Sequence, residues 1–255
     1  MASRQPSLIA RALEPFAAGL WTLFLIWTAI VAVVWLGEIG HADLQERITN
    51  PGLRNALEFC LRSLDAAWFA LGAANVYLAL VEEESLAVAR RWASIVIGGA
   101  WLISALSEWT TYPLGAIHYT AQLGMRIGPV PFGVLLMWLA FVVGARSLAM
   151  RLAPRASHLQ VSIAAGALVA ITAANLDPLA WRFRAFWLWR TDFAALWPYL
   201  QNIASWFLGS LGFAFAMRET RVGSLPSAGF PRAAIVLIIF NIIFLASHGA
   251  RLFRG

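Results

Sequence analysis

Several side chains able to move a proton fall inside, or at the ends of, long apolar runs. Glu58 and Asp65 lie in the second run, Glu108 closes the third, Asp177 closes the fifth, and Asn202 opens the sixth. Between the third and fourth runs, residues 112–131 (YPLGAIHYTAQLGMRIGPVP) carry His118, Tyr119 and Thr120 in a stretch punctuated by glycine and proline. Irregular backbone at membrane depth is tolerated only where protein or a cavity satisfies its polar groups. A cavity holding carboxylate, imidazole and phenol suits general acid–base chemistry. Charges inside a span are expensive and mark functional sites by default. Glu58 and Asp65, seven apart, share a helix face about 10 Å apart along the axis, with Arg62 between them.

The elements that must position these groups are helices crossing a membrane. The chain of 255 residues is 60% hydrophobic and 13% charged, with mean hydropathy +0.70. That composition predicts an all-α fold, a polytopic transmembrane helical bundle forming one domain over 1–255. About seven spans are expected, at roughly 16–36, 57–81, 92–109, 130–150, 159–176, 200–217 and 230–250, each near the ~20 residues that cross the hydrocarbon core. The first run is too long for a signal-peptide core and reads as a retained span. Cys60 is the only cysteine, which excludes intrachain disulfides and multi-cysteine metal sites. There is no lysine, so no retinal Schiff base can form. The net charge of +6 reflects loop arginines facing lipid headgroups, not nucleic acid.

Span counting puts Glu58, Glu108, Asp177, Asn202 and the His118 stretch at one leaflet. The N-terminus and the loops 81–91, 146–158 and 218–232 share the other side, with ten arginines against eight, which favours a cytoplasmic N-terminus. Each member also has a structural reading. Glu58 and Arg62 can form an intrahelical pair, Asp65 can be a packing partner, Glu108 can be solvated, and Asp177-Pro178 can be a turn. Asn50-Pro51-Gly52 reads as a turn, and 82–91 as a solvated connector. Within 177–199, Trp181, Trp187, Trp189 and Trp197 alternate with Arg182, Arg184 and Arg190, the composition of an interfacial belt or a helix in the headgroup plane. The four histidines are scattered, no Asp-rich magnesium motif occurs, and no nucleotide fingerprint is present. Acid–base chemistry on an apolar substrate, without a metal or cofactor, is what remains.

Two blocks carry a family resemblance. The first is Pro113-Leu114-Gly115-Ala116-Ile117-His118-Tyr119-Thr120, followed by Leu123-Gly124, Val130-Pro131 and Trp138. The second is Asp177-Pro178, Trp187-Leu188-Trp189, Asn202 and Trp206. Together they resemble the CruF-type carotenoid hydratases, which include the bisanhydrobacterioruberin hydratases, over about 57–217. Ile117 stands where the family pattern has tyrosine, Ala185 or Phe186 where it has the glycine before Trp-x-Trp, and Ser205 where it has another glycine.

The resemblance implies addition of water to a terminal carbon–carbon double bond of an acyclic carotenoid, in a multi-pass protein of a bacterial cytoplasmic membrane. Its partners would be a lipophilic carotenoid and membrane lipids. Protonating such an alkene gives a tertiary carbocation and needs a positioned acid. Aromatic faces can stabilise the cation. On this reading Asp177 or Glu108 donates the proton, with Asp65 as a further candidate. His118, Tyr119 and Asn202 position or deprotonate water. Trp187, Trp189 and Trp206 line the cation site, and Trp138 and Glu58 join the substrate-binding set. A carotenoid cyclase begins with the same protonation, and a transporter or assembly factor is the reading from another class. A transporter should show paired helix breaks in two related halves; one break, at 112–131, is visible.

Overall fold

The computed structural model describes residues 8–37, 48–190, 196–217 and 231–253. Among them are seven helices: α1 (Leu8–Leu36), α2 (Pro51–Glu83), α3 (Leu86–Thr110), α4 (Phe132–Leu152), α5 (His158–Arg182), α6 (Leu196–Ala216) and α7 (Arg232–Leu252). The architecture is an all-α polytopic bundle. Six of these helices are long and apolar enough to cross a membrane, by length and composition. The exception is α6, whose first turns hold Trp197, Pro198, Tyr199, Gln201 and Asn202. A sixth span at 200–217 therefore rests on a helix of lower hydropathy than expected.

Helix ends follow local chemistry. Asn50-Pro51-Gly52 is not a free turn: the Asn50 side chain accepts from the Leu53 N–H and Pro51 opens α2, where its missing N–H costs nothing. Ser85 caps α3 in the same way, so most of the expected connector 82–91 is helical. Ser157 and Gln160 form a capping box at the start of α5. Helix α5 does not stop at Asp177. It runs through Pro178 to Arg182, which replaces the turn reading of Asp177-Pro178. At 33 residues α2 is about 50 Å long, beyond the hydrocarbon thickness of about 30 Å.

Helix α4 is buried along most of its length, whereas α1 and α3 leave most of theirs outward. It packs against α2, α3, α5 and α7, and α6 lies chiefly on α5. Trp35, Trp68, Phe69, Phe141, Phe186, Phe240 and Phe244 form an aromatic core with ring centroids between 4.6 and 6.4 Å apart. Arg146, counted above with the loop arginines, is instead buried in α4, its guanidinium 5.1 Å from the Trp92 ring.

The two connecting segments at the α3 and α5 ends are folded onto each other. Strand β1 (Ile117–Tyr119) pairs antiparallel with β4 (Trp187–Trp189), in register Ile117 with Trp189, His118 with Leu188 and Tyr119 with Trp187. Strands β2 (Arg126–Ile127) and β3 (Val130–Pro131) form a small hairpin before α4. Alternation along a strand sends neighbours to opposite faces. Ile117, Tyr119 and Trp187 are buried, and His118 and Leu188 are exposed. The described part of 177–199 is thus not one helix in the headgroup plane: Trp187 and Trp189 are drawn into the strand pair, whereas Trp181 lies in the last turn of α5 and Trp197, strongly exposed, in the first turn of α6.

Candidate active site

Pairing β1 with β4 brings three carboxylates to one end of the bundle, each with a different set of partners. Asp65, on α2, is 2% exposed. It accepts from Trp35 Nε1 at 2.8 Å, from Arg184 Nε at 2.7 Å, and faces Arg184 Nη2 at 2.5 Å. The Arg184 side chain is itself buried. The result is a closed ion pair that pins the segment after α5 to α2.

Glu108, near the end of α3, is bonded at both oxygens. Oε1 meets Arg190 Nη2 at 2.6 Å and His118 Nδ1 at 2.6 Å, and Oε2 accepts from the Tyr119 N–H at 3.1 Å. Arg190 Nη1 also donates to the Glu108 carbonyl at 3.0 Å. His118 and Arg190 are about half exposed, so this cluster opens outward. Gln201 and Ser205 of α6 donate to the Thr111 and Pro113 carbonyls, tying the same turn to α6. Gly115 has φ +101°, and a side-chain carbon there would lie 2.7 Å from the Trp189 ring, so the close approach of β4 requires glycine.

Asp177 is different. It is fully buried, and its Oδ1 accepts from Trp187 Nε1 at 2.9 Å and Asn202 Nδ2 at 3.2 Å. Among the described residues, Asp177 Oδ2 and Asn202 Oδ1 have no hydrogen-bond partner. Both donors are neutral, in contrast to the arginines on Asp65 and Glu108. One turn beyond Asn202, Trp206 stacks on Trp138 at 3.8 Å and 13°. Tyr119 packs edge-on to Trp187 at 6.4 Å, with its phenol beside Ser104. Burial pushes the Tyr119 phenol above its ordinary value, and the Glu108 charge adds to it.

The helix around Asp177 is interrupted and then repaired. Pro178 has no N–H for the Ala174 carbonyl. The Tyr199 hydroxyl donates to that carbonyl at 3.1 Å, and His248 Nε2 donates to the next one, Asn175 O, at 2.7 Å. Polar side chains of α7 continue the seam, Asn241 Nδ2 donating to Thr172 Oγ1 at 2.9 Å.

Of the residues expected from sequence, Asp177, Asn202 and Trp187 meet directly, with Tyr119 on one side and Trp206 and Trp138 on the other. Glu108 and His118 form a second cluster, connected to the first through Tyr119. His118 points to the opposite face from Tyr119. Trp189 flanks Gly115, Asp65 sits in its own ion pair, and Glu58 lies part-exposed on α2. The Arg62 side chain, and with it the Glu58–Arg62 pair, lies outside the described residues. Tyr199 and His248 carry no site role in the sequence reading, and Arg184 and Arg190 enter it only as interfacial residues. The signal for the arginines was available: buried carboxylates demand cations, and the loop 177–199 supplies two within reach. A model of the family described as carotenoid biosynthesis protein matches residues 64–254. No curated protein and no solved structure matches the chain.

Proposed function

The chain belongs to the carotenoid biosynthesis protein family, and from that premise we propose that it adds water to a terminal double bond of an acyclic carotenoid. The observation that carries the reading is Asp177: a carboxyl without exposure, held only by neutral donors, with one oxygen unpartnered among the described residues. A buried carboxyl lacking a cation is more readily accommodated as the acid than as the anion. Glu108 and Asp65 face arginines and suit structural roles.

In this reading the Asp177 O–H proton passes to the less substituted alkene carbon. The π bond breaks, a C–H bond forms, and the adjacent carbon becomes a tertiary cation. In this reading the indoles of Trp187, which bonds Asp177 through its N–H, and of the stacked pair Trp206 and Trp138 stabilise that charge. Water forms the new C–O bond, and its surplus proton returns to Asp177. The net change is alkene plus water to tertiary alcohol, with the acid regenerated. Tyr119 remains a neutral phenol and is no base.

The test is expression in a bacterium that accumulates lycopene, followed by mass analysis of extracted pigment. Hydration predicts product heavier by one or two waters. An isomer of unchanged mass would replace hydration with ring closure, and recovery of unmodified pigment across several acyclic carotenoids would overturn the reading.

A further inference from the structure

Two buried oxygens without partners among the described residues sit in one hydrogen-bonded pair of residues. Asn202 uses its Nδ2 on Asp177 Oδ1, leaving its own Oδ1 and Asp177 Oδ2 without partners among the described residues. Asp177 is fully buried and Asn202 is 1% exposed, so bulk solvent does not satisfy them. Buried polar atoms are rarely left unpaired, and where protein supplies no donor an internal water usually does. A water that accepts from the Asp177 acid and donates to Asn202 Oδ1 satisfies both groups and fits the smallest gap.

We propose that Asp177 Oδ2 and Asn202 Oδ1 hold a single water molecule between them, and that this water is the molecule added to the substrate. The assignment of that water as reactant rests on the hydration reading above; the existence of the site does not. Water donates one hydrogen to Asn202 Oδ1 throughout. Toward Asp177 it accepts from the acid before proton delivery and donates to the carboxylate afterwards. With both hydrogens engaged, its lone pairs are the groups left for the cation. As the C–O bond forms, the O–H bond toward Asp177 breaks and Oδ2 recovers its proton. One carboxyl therefore serves as both acid and base, and Asn202 decides whether the cation meets water.

The test uses the full chain in lipid nanodiscs and two readouts. Infrared difference spectra in H2O and in water carrying heavy oxygen should show an isotope-sensitive O–H band of internal water in the wild type. Asn202→Leu should lose it, and Asn202→Ser, which keeps a smaller polar group, should retain it. In D2O with an acyclic carotenoid, Asn202→Leu should form hydrated product at least about tenfold more slowly, while unhydrated pigment recovered from it carries deuterium, because protonation persists without capture. A band unchanged in Asn202→Leu, or absent from the wild type, overturns the site. Parallel loss of hydration and deuterium exchange in Asn202→Leu overturns the role assigned to the water. A band that depends on Asn202 in a protein that hydrates no acyclic carotenoid supports the site and sinks the hydration reading alone.

Discussion

Glu108 and Asp177 are both buried carboxylates at the same end of the bundle, joined through the β1–β4 pair, yet their surroundings differ in kind. Glu108 has every oxygen engaged, with Arg190 and His118 on one and a backbone N–H on the other. Asp177 has two neutral donors on one oxygen, and none among the described residues on the other. An arginine stabilises the ionised carboxylate and uses up its lone pairs. Neutral donors leave a group that can exchange a proton. On the hydration reading, burial and residue type do not separate a brace from an acid, and the charge of the partners is what distinguishes the two carboxylates.

The sharpest way to break this contrast is to remove each carboxylate in turn. Asp177→Asn keeps the shape and the Trp187 hydrogen bond, and should lower pigment hydration at least about 100-fold per assembled protein. If Glu108 serves to hold the turn, Glu108→Gln should leave turnover within about tenfold and chiefly reduce the amount of protein assembled. Turnover normalised to membrane protein decides between them: equal losses in both variants would dissolve the distinction.

Arg184→Leu probes the other brace. Removing one partner of a buried pair leaves Asp65 uncompensated and costs about 3–5 kcal/mol, so thermal unfolding in detergent should fall sharply. Replacing Asp65 by Leu as well should recover much of that loss. Turnover of the fraction that remains folded should stay near wild type, which would place Asp65 with Glu108.

The helices were legible, with ends displaced by up to eight residues, because apolar runs of membrane length admit little else. The placing of Asp177 and Asn202 at one end of the bundle was also within reach of span counting. What escaped was short and non-local. Strands β1 and β4 are three residues each and nearly seventy apart, so no periodicity announces their pairing. Arg184 and Arg190 resembled headgroup anchors because arginine at a membrane boundary usually is one. The passage of α5 through Pro178 was hidden for a related reason. Proline reads as a helix stop unless a distant side chain, here Tyr199, satisfies the freed Ala174 carbonyl, with His248 bonding the next carbonyl beside it.

That repair gives a smaller test. Tyr199→Phe and His248→Phe each delete one donor, worth about 1 kcal/mol. If the helix turn beside Pro178 aims Asp177, turnover should fall about fivefold in each. Pro178→Ala restores an N–H for the Ala174 carbonyl and should rescue Tyr199→Phe in part. An unaltered turnover in both single variants would confine the seam to stability.

The smallest effect is expected at Ala185 and has the opposite sign. Its φ of +50° lies in the left-handed region, and its carbonyl accepts the Thr120 hydroxyl at 2.5 Å. An L-residue there costs about 1–2 kcal/mol relative to glycine. Glycine gives back part of that gain because its unfolded chain has more freedom. Ala185→Gly should therefore stabilise the protein by about 0.5–1 kcal/mol, read as a higher unfolding midpoint in detergent. The sequence reading places a family glycine at Ala185 or Phe186, and the backbone makes Ala185 the position where glycine is favoured. If the strain were needed to press β4 against Asp177, the glycine variant would be more stable yet slower. If β4 is held by its ladder and by Arg184 and Arg190, turnover will be unchanged, and the contrast between brace and acid survives the release of strain at Ala185.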